Sequence, residues 1–290
     1  MMLAGMVAAA TAAQGQGRLL LNELLYQPRS GEAEYVELYN PTATAIDLSE
    51  YMIIRWIGDS LGTRYPLPSF VVEPKGLVVL TKDAASVAAN YPGTQPARVV
   101  ECRLPTYPND GGTVVLADSE GNVVERLDYT PEMHSRLLRN KAGVSLERRR
   151  PDLPCNEPSN WFSAASTAGY GTPTQPNSQS TEWLVEEVQF DCSSERVSPD
   201  GDEYEDELTI AYSLNDNDIY ANIVVYNDSG RPMRRLLNNA LLGSHGRVVW
   251  DGHGENGQRL RQGRYILIID LFNRAGIRQT LRRTVALIVP

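Results

Sequence analysis

The sequence predicts an all-β fold made of two tandem antiparallel β-sandwiches. Tyrosine outnumbers phenylalanine 14 to 4, and 23 glycines and 18 prolines punctuate the chain. Short segments rich in Val, Ile and Tyr alternate with these punctuated turns, which is typical of strands. A chain of 290 residues is long enough for two modest domains.

The overall composition excludes several classes of protein. A hydrophobic fraction of 42% and a charged fraction of 22% are ordinary for a soluble globular chain. A net charge of −9 argues against a protein that binds nucleic-acid phosphates. No apolar run reaches the ~18 residues of a membrane span. Composition alone does not exclude an enzyme.

Residues 1–17 resemble a signal peptide. The segment from Met1 to Ala13 is apolar and ends in small residues that suit signal peptidase, although it lacks a positive start. We therefore expect export to the periplasm, the outer-membrane surface or the extracellular space. The alternative is a frayed, alanine-rich N-terminus.

Residues 18–180 are predicted to form the first sandwich. In the segment around Glu37 we expect Val36 and Leu38 on one face and the tyrosines with Glu37 on the other, more exposed face. Asp83–Asn90 favours one short helix. The predicted strands are Arg18–Tyr26, Glu34–Asn40, Tyr51–Trp56, Gly76–Thr81 and a hairpin of Thr113–Asp118 with Val123–Leu127.

The second half of the chain repeats the alternation after an irregular segment. Five prolines in residues 151–180 indicate loops, and we expect Trp161 and Phe162 to pack onto the first sandwich. Residues 181–197 are predicted to be a linker, and 198–290 a second sandwich. Its predicted strands are Leu208–Leu214, Ala221–Tyr226, Arg247–Trp250 and Arg264–Leu271.

Charge is distributed unevenly in this second half. Residues 200–207 hold six carboxylates in eight positions, whereas the last sixty residues carry eleven arginines against three acids. Asp200, Asp202 and Asp206 are the candidate calcium ligands, because Ca²⁺ binds clustered oxygens. The EF-hand pattern fails, since a glutamate stands where that loop needs glycine. The loop is either an irregular calcium site or a solvated acidic linker.

Two motifs suggest catalysis but lack its structural context. Gly58–Gly62 fits G-x-S-x-G with Ser60 as nucleophile, yet a nucleophile elbow must lead into a helix, and prolines follow here. Gly252–Gly257 fits G-x-G-x-x-G without a following helix, so we interpret it as a turn. The three histidines are isolated in sequence. We predict a non-enzymatic protein, with a Ser60 hydrolase as a distant alternative.

Three cysteines allow one disulfide. Export would permit it, and Cys102–Cys155 is the preferred pair because both lie in the segment predicted to form the first sandwich. Free buried thiols are the alternative. No C-x-x-C spacing supports a zinc ribbon.

The first module resembles bacterial lamin-tail domains, which are immunoglobulin-like sandwiches. The residues that carry the resemblance are Leu21–Glu23, Glu34–Asn40, Ile46–Ser49, Tyr51, Gly143–Arg148, Asn160–Ala165, Gly171–Pro173 and Pro176–Gln179. Tyr51 departs from the family, which often has tryptophan there.

The second module resembles the small C-terminal immunoglobulin-like sandwich of flagellar hook-cap proteins and of exported Bacteroidetes-type proteins. The run from Gly263 to Val289 is also similar to a type IX secretion sorting domain. Glu203 and Glu205 replace the family's usual Gly and Asn. The blocks that carry the resemblance are Ser198–Asp202, Leu208–Leu214, Val225–Arg231, Trp250–Gly252, Asn256–Gly257, Leu260 and Gly263–Tyr265.

These resemblances imply an exported, non-enzymatic structural or binding protein of the cell envelope. The alternative is a component or cargo of a type IX-like secretion system. We expect a protein or cell-surface partner and no nucleic acid. The candidate binding residues are Glu37, Tyr39, Trp56 and Tyr65, each of which has ordinary packing as its alternative.

Overall fold

The computed structural model describes residues 18–58, 60–181, 189–273, 276 and 278–288, so the signal-like segment 1–17 lies outside it. These residues form one α-helix, α1 (Ala84–Asn90), and twenty strands, which confirms the all-β prediction. None of the described helices is long and apolar enough to cross a membrane.

The first module contains twelve of the described strands. They are β1 (Leu20–Leu25), β2 (Tyr35–Tyr39), β3 (Ile46–Asp47), β4 (Tyr51–Ile57), β5 (Ser60–Pro66), β6 (Val71–Val72), β7 (Leu77–Thr81), β8 (Val99–Glu101), β9 (Gly112–Asp118), β10 (Val123–Tyr129), β11 (Leu146–Arg148) and β12 (Trp161–Ser163). Short 3-10 helices lie at Leu48–Glu50, Pro96–Arg98, Pro131–Met133, Pro158–Asn160 and Ser166–Ala168.

A six-stranded sheet in the order β12-β11-β1-β2-β7-β8 packs on a four-stranded sheet in the order β10-β9-β4-β5. Val36 and Leu38 of the first sheet meet Ile53 and Leu116 of the second in one core, as their alternation predicts. Trp161 is fully buried in the same core, as predicted. Among the described strands of this module, all pairings are antiparallel except that of β7 with β8.

The second module contains the remaining described strands. They are β13 (Gln189–Cys192), β14 (Arg196–Val197), β15 (Leu208–Ser213), β16 (Tyr220–Asn227), β17 (Pro232–Leu241), β18 (His245–Trp250), β19 (Gly263–Phe272) and β20 (Arg278–Leu287).

A sheet in the order β13-β15-β18 packs on a five-stranded sheet in the order β14-β20-β19-β16-β17. The predicted linker 181–197 is wrong over residues 189–197, because Phe190 and Val197 belong to this second core. Val197 lies in β14, whose pairing with β20 is parallel. Residues 182–188 lie outside the described part of the chain.

The outer face of the six-stranded sheet is also covered. Val87 and Tyr91 of α1 pack there against Leu25, Tyr35 and Val79. The helix begins where predicted, because the Asp83 carboxylate caps it by accepting the Ser86 N–H at 2.9 Å. Segment 164–181, which follows β12, covers the rest of this face.

Candidate functional site

Three glutamates lie side by side on the covered face of the six-stranded sheet. Glu23 of β1 stands directly opposite Glu37 of β2 and Glu147 of β11. Their exposed fractions are 1%, 0% and 0%. The prediction of Glu37 as an exposed binding residue is therefore wrong: alternation places it outside the core, and segment 164–181 then covers it.

Hydroxyl, amide and backbone N–H groups satisfy this acidic cluster of Glu23, Glu37 and Glu147. Segment 164–181 contributes donors to every member. Glu23 accepts from Tyr35 Oη, Ser145 Oγ and Thr172 N; Glu37 accepts from Asn22 Nδ2 and Thr174 N; Glu147 accepts from Thr172 Oγ1, Ser178 Oγ and Gln179 N, all at 2.5–3.0 Å.

Because the three carboxyl groups of this cluster are buried without a neighbouring cation, they tend to keep their protons. In the described part of the chain no lysine or arginine forms an ion pair with these carboxylates. Loss of hydration raises the pKa of Glu23 and, together with repulsion from Glu23, raises that of Glu37 well above its usual range. The same two causes raise the pKa of Glu147 to about 8.

The segment that covers the glutamates also binds the second module. Gln179 Nε2 donates to Leu242 O at 3.2 Å, and Asn217 Nδ2 donates to Gln179 Oε1 at 2.7 Å. Ser244 N donates to Ser178 O at 2.8 Å. Residues 178 and 179 therefore connect Glu147 directly to the second sandwich.

Three hydroxyl contacts extend this junction between the modules. Ser166 Oγ donates to Leu241 O at 2.8 Å, Thr167 Oγ1 lies 3.1 Å from Tyr212 Oη, and Ser135 Oγ lies 2.8 Å from Tyr220 Oη. A cavity of about 230 Å³ opens beside them, lined by His134, Phe162 and Ser163 of the first module and by Asp218 and Leu241 of the second.

The cavity contains a Ser–His pair that sequence inspection missed. His134 Nδ1 lies 2.9 Å from Ser163 Oγ, and this oxygen also accepts the Ser135 N–H at 2.9 Å. Burial lowers the pKa of His134 to about 3, so its imidazole is a weak base at neutral pH. The two residues lie 29 positions apart in no recognisable motif. Their geometry suits packing better than nucleophilic catalysis.

Ser60 begins strand β5, immediately after the turn that follows β4. Its hydroxyl is exposed and donates to Ile57 O at 3.2 Å. β4 and β5 pair antiparallel, so the local structure is strand–turn–strand. The strand–turn–helix context that a nucleophile elbow requires is not formed.

The acidic loop brings the three predicted calcium ligands together. One carboxylate oxygen from each of Asp200, Asp202 and Asp206 lies within 4.8 Å of the others. The Asp206 carboxylate accepts the N–H groups of Gly201 and Glu203, and these bonds lower its pKa. Calcium binding stays a prediction; a melting temperature that does not change in millimolar calcium would reject it.

The other three candidate binding residues are not gathered into one site with Glu37. Tyr39 ends β2 on the six-stranded sheet, whereas Trp56 and Tyr65 belong to the four-stranded sheet. Tyr65 stands opposite Ile53 and packs against the first core. Trp56 is half-buried beneath the Arg126 guanidinium, 4.1 Å from its ring centre. Their role in binding stays a prediction.

The predicted Cys102–Cys155 disulfide is not formed, and all three cysteines are free thiols. Cys102 follows β8 at one edge of the six-stranded sheet, whereas Cys155 O accepts from Trp161 Nε1 of β12 at the other edge. Such edges lie on the order of 20 Å apart, while a disulfide joins Cα atoms about 4.4–6.8 Å apart. Burial raises the pKa of the Cys102 thiol to about 11.

Comparison with curated proteins gives no match at the level of sequence. Among solved structures, the chain is similar to dimeric latent PorU of Porphyromonas gingivalis, with 9% identity, TM-score 0.28, and 98% of this chain and 21% of that chain covered. PorZ of the same organism, a surface component of the type-IX secretion system, gives 10% identity, TM-score 0.24, and 93% and 39% coverage. Red sea bream transglutaminase gives 12% identity and a TM-score of 0.22, with 93% of this chain and 31% of that chain covered.

The chain spans between 21% and 39% of the length of these structures, and scores this low carry no functional argument. The family comparison is more specific. Its matched segment begins before β1 and ends just after β10, so it contains most of the first sandwich but not Glu147. Residues 12–131 match the model of the lamin tail domain, which supports the lamin-tail resemblance of the first module.

Proposed function

We propose that this chain is an exported, non-enzymatic structural or binding protein of the cell envelope. The observation that carries the proposal is the junction: segment 164–181 is buried by the first module and hydrogen-bonded to the second. Ser178 and Gln179 thereby join a lamin-tail-like sandwich and a second sandwich into one unit. Such a unit suits a scaffold that presents its loops and sheet edges to a partner.

The β4–β5 hairpin is the surface we would test first for a protein or cell-surface partner. Ile57 and Leu61 are 52% and 40% exposed beside the half-buried Trp56. β5 is also the edge strand of its sheet, and edge strands are common sites of association. We therefore include Ile57 and Leu61 with Trp56 in the proposed binding surface.

Capture from envelope extracts tests the proposal. We expect the full chain to retain an envelope protein or glycan that an Ile57→Ser/Leu61→Ser variant retains at least tenfold less well. Val71→Ser is the matched control, because Val71 is 53% exposed elsewhere on the module. Recovery of the chain from the cytoplasm with Met1 intact, or equal capture by both variants, would contradict it.

The alternative is a component or cargo of a type IX-like secretion system. The second module favours it, because that module has its own core and carries the sorting-domain resemblance. Since Phe190 and Val197 belong to this core, the truncation to test removes residues 189–290 rather than 198–290. Loss of export, together with export of a reporter fused to 189–290, would support the alternative, and unchanged export would reject it.

A further inference from the structure

The second module contains a cavity of about 530 Å³ whose lining is dominated by arginine. It lies where the short strand β14 stops pairing with β20. Arg264, Arg282 and Arg283 line it together with Ser194 and Thr284. It shares no lining residue with the cavity beside His134.

The sheet register places two of these arginines on one face. Arg264 pairs with Ala286, and Ile268 pairs with Arg282, so Arg264, Thr284 and Arg282 all project from the outer face of the five-stranded sheet. Because Arg264 lies opposite Ala286, its position along β20 is four residues, or about 13 Å, from that of Arg282. Their long side chains border the same cavity from its two ends, with the Thr284 hydroxyl between them.

Arg283 enters the cavity from the edge of the sheet and is held in place. Its Nη2 donates to Phe190 O at 3.0 Å and its Nη1 donates to Arg282 O at 3.1 Å. These bonds fix the guanidinium next to the mouth of the cavity. A fixed guanidinium loses less conformational freedom on binding than a free one.

The positive charge of the cavity is only partly offset by its lining. Within the described residues, neither Arg264 nor Arg282 forms an ion pair, and both are exposed. Glu195 is the one carboxylate residue in the described lining, against three arginines. Three guanidinium groups around one cavity repel one another, and an anion between them removes that repulsion.

We propose that this cavity binds a phosphate group. Guanidinium groups bind phosphate oxygens through paired hydrogen bonds, and the hydroxyls of Ser194 and Thr284 supply further donors beside them. The phosphate comes either from a small soluble molecule or from a lipid headgroup. Both sources present the same chemistry to Arg264 and Arg282.

Titration of the full chain with inorganic phosphate at constant ionic strength tests the proposal. We expect the melting temperature to rise with phosphate concentration, because a ligand that binds the folded state stabilises it. An Arg264→Gln/Arg282→Gln variant should bind at least tenfold more weakly. Arg231→Gln/Arg247→Gln is the matched control, because it removes the same charge from exposed positions of the same module that do not line the cavity.

A second arm identifies the source of the phosphate. The same three proteins are sedimented with phosphatidylglycerol vesicles and with neutral phosphatidylcholine vesicles. Binding of inorganic phosphate that depends on Arg264 and Arg282 supports a small soluble ligand, and equally dependent binding to the anionic vesicles alone supports a lipid headgroup. No binding in either arm, or equal loss in the control variant, overturns the proposal.

Discussion

The outer faces of the two large sheets carry ionisable side chains of opposite kinds, acidic on one and basic on the other, and differ in what covers them. In the first module, Glu23, Glu37 and Glu147 lie buried and accept hydrogen bonds from segment 164–181, beside the part of the face that α1 covers. In the second module, Arg264 and Arg282 lie exposed beside an open cavity. Both faces arise from the same strand alternation. Alternation thus decides on which face a side chain lies, and segments outside the sheet decide whether that face is buried.

Strand β11 repeats this contrast between two neighbouring residues. Glu147 points into the acidic cluster, where it has only uncharged donors. Arg148 points to the other face, where its Nη1 lies 3.0 Å from both carboxylate oxygens of Glu125. Burial raises the pKa of Glu125, and Arg148 opposes that rise. Glu125 is therefore paired with a cation, whereas Glu147, on the opposite face of β11 from Arg148, depends on a proton.

Loss of Arg148 should have the largest effect. Arg148→Met leaves Glu125 buried without its partner, and breaking a buried ion pair in this way costs about 3–5 kcal/mol. The free energy of unfolding from denaturant titration measures it. Adding Glu125→Leu to Arg148→Met should recover much of the loss. A single variant within about 1 kcal/mol of the wild type would show that the pair is not buried as described.

The unpaired acidic cluster predicts a stability that falls as pH rises. An acid whose pKa is raised on folding binds more protons folded than unfolded, so stability is greatest below its unfolded pKa and declines toward its folded pKa. For Glu147 this window runs from 4.5 to about 8. We expect the melting temperature to drop by several degrees between pH 5.5 and 8.5, at about 2–4 °C per kcal/mol.

Glu147→Gln should flatten this pH dependence, because glutamine keeps the shape without the titration. The matched control is Glu73→Gln, since Glu73 is exposed on the same module. Acids whose pKa is lowered by hydrogen bonds, such as Asp118, titrate below the chosen window and contribute a constant amount there. An identical pH profile for Glu147→Gln and the wild type would mean that the cluster does not hold its protons.

The sequence predicted what depends on local pattern and missed what depends on distant chain segments. Inward Val36 and Leu38, the helix capped by Asp83, and the β9–β10 hairpin all follow from neighbours within a few residues. Burial of Glu37 depends on residues more than a hundred positions away. β17 and β20 were not predicted as strands, because their arginines and asparagines obscure the alternation; their neighbours in the sheet impose the strand structure.

Gln179→Ala tests whether the covered face of the first module holds the second. The substitution leaves Leu242 O and Asn217 Nδ2 without this partner, and unsatisfied buried groups cost about 1–3 kcal/mol. Calorimetry should show the two modules unfolding at more widely separated temperatures. Gln175→Ala is the control, because Gln175 bonds within the first module, to Gly93 O. Equal effects of the two substitutions would place the coupling elsewhere in the junction.

The smallest expected effect concerns helix α1, which covers the part of the same face next to the glutamates. Asp83→Ala removes the cap that accepts the Ser86 N–H, which costs about 1 kcal/mol, whereas Asp83→Asn keeps an accepting oxygen and should cost less. Because Val87 and Tyr91 hold the helix on β2 and β7, a frayed first turn should speed amide exchange on that face before it changes global unfolding. Faster exchange confined to α1 would show that segment 164–181 alone shields the acidic cluster; faster exchange that extends to Tyr35 and Glu37 would show that both covers are needed to keep three carboxylates out of water.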